Sequence, residues 1–120
     1  MPVEDLRDLA PEVVESLPFG FIRLDTEGNV VRFNSYESRA SGLDPRTVLG
    51  RNFFHEVAPC TAVQEFAGRY ERMVHAGLPA VESFRYLFRF SGGERLVQIF
   101  LSYLPDKEEG LVIVRELSHV

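Results

Sequence analysis

Two strand-period runs meeting at a glycine pair constrain this chain most. In residues 84–90, Phe84, Tyr86, Phe88 and Phe90 alternate with Arg85, Leu87 and Arg89. Successive side chains of a strand point to opposite faces, so this spacing predicts a half-buried strand with an aromatic inner face. Ser91-Gly92-Gly93 reads as a hairpin turn and Arg95–Tyr103 as the returning strand. Pro105 to Gly110 is a charged turn, and Leu111–Arg115 reads as a last strand.

The other end of the chain is also strand-like. Phe19, Phe21 and Leu24 flank Gly20 in a short strand over 19–25. Asp25-Thr26-Glu27-Gly28-Asn29 follows as a turn in which Gly28 can take positive φ, and residues 30–34 return. Ahead of this hairpin, Leu6, Leu9, Val13, Val14 and Leu17 recur at helical spacing. Residues 3–17 are therefore expected to form a helical leader, broken near Pro11 and ended by Pro18.

Short helices fill the middle. Ser35–Ser41 is one. Asp44-Pro45 places a cap before a first-turn proline, with Gly50 as a stop, and Asn52 can cap a turn through Phe53, Phe54 and Val57. Thr61-Ala62-Val63-Gln64 reads as a capping box, so a longer helix is expected from there to Gly77, burying Val63, Phe66, Tyr70 and Met73 or Val74. The order β-β-helices-β-β-β predicts an α+β fold: one antiparallel sheet with helices over one face, residues 19–118 as the domain and 1–18 as an N-terminal cap.

A chain of 120 residues suits one domain. Its net charge of −5 and scattered basic residues argue against nucleic acid as a partner. A single cysteine cannot close an internal disulfide, which suits a reducing compartment. No apolar run approaches the ~20 residues of a membrane span. The acidic N-terminus lacks the order of a signal peptide, so the expected location is cytoplasmic, with no membrane contact.

Cys60 directly precedes the expected helix, whose dipole would favour a nucleophilic thiolate. The competing reading is a small buried hydrophobe. His55 could serve a haem and His75 is a further histidine, but neither lies in a pattern that suggests an axial ligand site or a base-and-orienter pair.

The stretches LPFGFIRLDTEGNVVRFN (17–34) and SGLDPRTVLGRNFFHEVAPCT (41–61), above all the Ala-Pro-Cys-Thr ending, resemble the photoactive yellow proteins, blue-light receptors of the PAS fold. FRYLFRF (84–90) matches more loosely, and the likeness runs over about residues 17–116, with a leader shorter than the family's usual cap. It implies a PAS fold and p-coumaric acid held as a thioester on Cys60. It also implies a buried phenolate that accepts hydrogen bonds from a tyrosine and from a protonated glutamic acid, with a threonine behind the tyrosine. Glu37 falls at the glutamate position, Ser41 at the threonine position and Phe33 at the tyrosine position, where the donor is lost. Tyr36, three residues on, is the candidate replacement, and Leu43 stands where the family has a gating arginine. Tyr86 and Phe88 match pocket-lining aromatics.

The implied function is light sensing: isomerisation followed by proton transfer from Glu37, with the leader and the helix around Glu37 loosening to expose a surface. No turnover as an enzyme is expected. With no output domain recognisable in the sequence, the chain would act through a signalling partner, through self-association or as a module of a larger protein. The losses at Phe33 and Leu43 support an alternative, a chromophore-less PAS module for protein interaction or dimerisation.

With one donor fewer, a phenolate beside Phe33 should bind its proton more tightly. On sequence alone, the reconstituted protein should be partly protonated near neutral pH, and Phe33→Tyr should restore the anionic band in an absorbance titration. Identical midpoints would move the donor to another residue, Tyr36 first.

Overall fold

In the computed structural model, which describes residues 8–90 and 93–118, five strands form one antiparallel sheet. The strands are β1 (Gly20–Asp25), β2 (Val30–Phe33), β3 (Ala80–Phe90), β4 (Gly93–Leu104) and β5 (Glu109–Ser118), in the order β2-β1-β5-β4-β3. The chain's two end hairpins thus sit side by side, because β5 pairs with both β1 and β4. Between β2 and β3 lie α2 (Ser35–Ser41), α3 (Pro45–Val48) and α4 (Arg69–Ala76), joined by short turns; α1 (Pro11–Ser16) precedes the sheet.

The local signals explain most of these elements. Gly28 takes φ 86° in the β1–β2 turn, where Asp25 Oδ1 accepts from the backbone of Glu27 and Asn29. Asp44 caps α3 by accepting from the Arg46 N–H, and Asn52 caps the wide turn Phe53–Val57 by accepting from Phe54 and His55. Val97, Ile99, Leu101 and Tyr103 of β4 alternate inward and are buried, as the period of two requires.

Two expectations need correction. The capping box at Thr61 does not form: the Thr61 hydroxyl donates back to the Ala58 carbonyl at 2.7 Å, inside a tight turn over Pro59–Thr61. The helix starts later, as a wide turn Gln64–Gly68 that runs directly into α4. Val63 is consequently an exposed flanking residue, while Phe66, Tyr70 and Met73 are buried as their spacing predicts. In the leader, only Pro11–Ser16 is helical among the described residues, and Pro11 opens the helix where it was expected to break it. Proline's fixed φ and missing N–H suit the first helical position. Residues 3–7 of the expected leader and the Ser91-Gly92 turn lie outside the described residues.

The sheet buries both faces. On the helix side Phe66 is enclosed by Phe53, Phe54, Phe84, Tyr86 and Phe88, with ring centroids 5.2–6.3 Å apart. On the other side α1 and the linker lay Val14 against Phe21, Leu111 and Ile113. A fully buried residue ties the two sides. Asn34, fully buried, caps α2 by accepting from the Glu37 N–H at 3.1 Å, and its Oδ1 also accepts from Phe21 at 3.0 Å. Its Nδ2 donates to the carbonyls of Val14 and Phe19, each at 3.0 Å.

Asn34→Ala would leave the buried N–H groups of Phe21 and Glu37 and the part-buried Phe19 carbonyl without the carboxamide, and the Val14 carbonyl with only the Leu17 N–H at 3.4 Å. Each such group costs about 1–3 kcal/mol unless water reaches it. The expected loss is about 2–4 kcal/mol in denaturant unfolding, with faster amide exchange in α1 than in the sheet. A loss below about 0.5 kcal/mol, the usual surface range, would contradict this role for the carboxamide.

Candidate functional site

Cys60 lies in the Pro59–Thr61 turn, half-buried, a free thiol that packs against the main core. Because the helix begins at Gln64, the dipole argument for its nucleophilicity no longer applies. What fixes the turn is the Thr61 hydroxyl on Ala58 from one side and the Tyr86 hydroxyl, which donates to the Cys60 carbonyl, from the other. Burial pushes the Tyr86 hydroxyl's pKa up, with the nearby Cys60 adding to it, so Tyr86 acts as a donor.

From Cys60 a continuous contact path runs inward. The Tyr86 ring meets Phe88 edge-on at 5.8 Å, and Phe88 faces the Arg95 guanidinium at 5.6 Å. Phe88 and Arg95 are directly paired across β3 and β4. Arg95 grips Glu37 with both terminal nitrogens, Nη1 to Oε2 at 2.7 Å and Nη2 to Oε1 at 3.2 Å. It also donates from Nε to Glu116 Oε1 at 2.8 Å, and from Nη2 to the same oxygen. Glu37 and Arg95 side chains are only 3% and 11% exposed.

Gly20 makes room for this cluster. A Cβ there would overlap Glu37 Oε1 and press on Val114. Burial pushes the Glu37 carboxyl's pKa up from its ordinary value; the bonds and charge of Arg95 oppose the rise without cancelling it, and Glu116 adds to it. Burial works against the Arg95 charge, but Glu37 and Glu116 more than offset that, and the guanidinium stays protonated.

The other residues singled out from the sequence are placed as follows. Phe33 is buried in the core cluster against which Cys60, Leu43 and Tyr86 also pack. Ser41 spends its hydroxyl on its own helix, donating to the Glu37 carbonyl at 2.7 Å and accepting from the Leu43 N–H. Tyr36 lines a surface cleft of about 430 Å³ with Pro18, Phe19, Arg115 and Glu116. Burial, then the charge of Glu116, raises the Tyr36 pKa. His55 and His75 are exposed. Among the described residues no helix is long and apolar enough to cross a membrane.

Arg95, Glu116 and Asn34 went unremarked in the sequence. One signal for Arg95 was present. It shares the inward parity of Val97, Ile99 and Leu101, so a charged residue stands at a core-facing position of a strand, which requires a buried partner. Nothing in the sequence names that partner.

The PAS fold family matches residues 14–119. The chain is similar to photoactive yellow protein from Halochromatium salexigens, 41% identical over 112 residues, 93% of this chain and 89% of the relative. It is similar also to photoactive yellow protein from Rhodobacter capsulatus, 36% identical over 104 residues, 87% of this chain and 83% of the relative. Among solved structures it resembles the photoactive yellow protein domain of the sensor histidine kinase Ppr from Rhodospirillum centenum. That match has a TM-score of 0.86 and 35% identity, covering 94% of this chain and 98% of the other.

Because the Glu37 pKa in the folded state lies above its ordinary 4.5, folding favours the protonated carboxyl. Stability from this source is present below that ordinary value and is lost as pH rises through the folded one. Denaturant unfolding followed across this range should show wild type losing stability relative to Glu37→Gln as pH rises. Parallel profiles for the two proteins would mean that Glu37 ionisation is not coupled to folding.

Proposed function

The chain belongs to the photoactive yellow proteins within the PAS-fold family, and on that premise we propose that it is a blue-light sensory domain with a p-coumaroyl thioester on Cys60, signalling to a protein partner or to a second copy of itself. The observation that carries this reading is the path from Cys60 through Tyr86 and Phe88 to the Arg95–Glu37 pair. It has a thiol at one end, aromatic walls between, and buried charged groups at the other. Such residues fit a flat aromatic acyl group with a phenolic end. When bound, that group supplies blue-light absorption and a double bond that light can isomerise.

The chain's own residues would do the following. Cys60 provides the attachment sulfur, and Tyr86 holds its main-chain carbonyl so that the anchor does not swing. Phe66 and Phe88, both buried, keep water from the aromatic walls. Glu37 is the proton donor: burial raises its pKa, so it holds a proton once Arg95 no longer pairs with it. Once it has given up the proton, a lone buried carboxylate would cost several kcal/mol, on the order of a small domain's whole stability. The ion pair with Arg95 is the arrangement that relieves this charge. Asn34 accepts from the Glu37 N–H and donates to Val14, so movement of α2 bears directly on α1.

One observation favours the second reading, a chromophore-less interaction module: Glu37 and Arg95 already satisfy each other, and Phe33 and Leu43 are apolar. Intact mass separates the two. Activated p-coumaric acid should add one acyl group to wild type and none to Cys60→Ala, and the adduct should bleach under blue light. Wild type without an adduct would promote the interaction module.

A further inference from the structure

Arg95 is unusual for its position. It lies on the inner face of β4, between Phe88 of β3 and Glu116 of β5, under the first turn of α2. Glu116 pairs with Val97 in the regular β4–β5 register and points to the same face, and the register slips one step beyond, between Val97 and Leu96, beside Arg95. A guanidinium buried this far is costly unless its donors are met, and it is met by two carboxylates. With Glu37 held as the carboxylate in its ion pair with Arg95, two acids and one base leave the cluster with one net negative charge.

We propose that Arg95 is the anion-holding residue of this pocket: its Nη1 and Nη2 groups turn from the Glu37 carboxylate to the phenolate oxygen of a ligand on Cys60, while Glu37 receives the phenol's proton. This rests on the reading that Cys60 carries a p-coumaroyl group. The exchange is balanced. The phenol O–H bond breaks and its electron pair stays on the phenol oxygen; an O–H bond forms on Glu37; Arg95 and Glu116 keep their charges. The cluster has one net negative charge before and after, so the anion enters without adding to the buried charge. Without Arg95, the phenolate and Glu116 would face each other with no cation between them.

The donor that Phe33 lacks, and the cation lost at Leu43, are thus supplied from the sheet. Phe33 and Leu43 pack into the core as apolar residues. Ser41 is committed to its own helix. Other groups facing Arg95 include Phe88 from β3, Glu116 from β5, and Tyr36 beside Glu37 on α2, with Arg39 further along that helix acting on Tyr36. Arg115 lines the cleft outside, with Tyr36.

The test compares wild type, Arg95→Met, Arg95→Lys and Phe33→Tyr after reaction with activated p-coumaric acid, each checked for one acyl group by intact mass. Visible absorbance is titrated against pH. Removing the cation favours the protonated phenol, so Arg95→Met should raise the phenol midpoint by about one pH unit or more, tenfold in the dissociation constant. Arg95→Lys keeps the charge without the two-pronged grip and should raise it less; this variant carries the test if Arg95→Met does not fold. Phe33→Tyr should move the wild-type midpoint by less than Arg95→Met does. On loading wild type, infrared difference spectra should gain a protonated-carboxyl band that Glu37→Gln lacks. An unchanged midpoint in loaded Arg95 variants, or no carboxyl band, overturns the proposal and leaves the photoreceptor reading standing. If wild type takes no acyl group, that reading falls and the role of Arg95 is decided with free para-nitrophenol on Cys60→Ala protein. Arg95→Met added to that background should then weaken phenolate binding about tenfold or more, and equal binding overturns the proposal.

Discussion

A buried carboxamide joins four parts of this molecule. Asn34 stands at the junction of β2 and α2, and its four hydrogen bonds reach α1, the α1–β1 linker, β1 and the first turn of α2. A buried amide uses its full donor and acceptor capacity here, and that is why its position is tightly specified. Because α2 is capped from inside the protein, Glu37 in its first turn is aimed at the sheet. The bare Cα of Gly20 then lets the carboxylate come down onto β1.

The buried charges follow from that geometry. A carboxyl delivered to the sheet face needs a partner, and β4 provides Arg95 from a position that the strand period would otherwise give to an aliphatic residue. Ion pairs at this depth contribute little net stability, since desolvation of both ions offsets their attraction. Their value is in response: the pair can be opened by a competing anion or by a proton, whereas an aliphatic pair could not. A core with such a pair is less stable than it could be, and it is sensitive to the charge of whatever enters it.

The Cys60 turn is built differently. Cys60 owes its place to a proline turn, a back-bonding threonine and the hydroxyl of Tyr86, all short-range or cross-core contacts independent of the charge cluster. The Cys60 turn and the charge cluster meet through Tyr86 and Phe88, two aromatic residues on the same face of β3. An aromatic strand that reads as simple core packing is therefore also the connection between the thiol and the acid.

Much of this was legible in the sequence. The alternation of Phe84, Tyr86 and Phe88, the Asp25–Asn29 turn and the caps at Asp44 and Asn52 are local signals, each decided by neighbours within a few residues, and they determine the element order and an antiparallel α+β sheet. The Ala-Pro-Cys-Thr motif singled out Cys60, and Glu37 stood at a family position. The start of the longer helix was misread because Thr61 has two local bonding options, and the tight turn at Pro59 selects the backward one. Sequence could not decide that Glu37 meets Arg95, that Glu116 joins them, or that Tyr36 lies at a surface cleft. Glu37, Arg95 and Glu116 are up to 79 positions apart in the chain. Only the closing of β5 between β1 and β4 brings them within hydrogen-bond reach, and a buried charge finds its partner through that closure and not through any local rule.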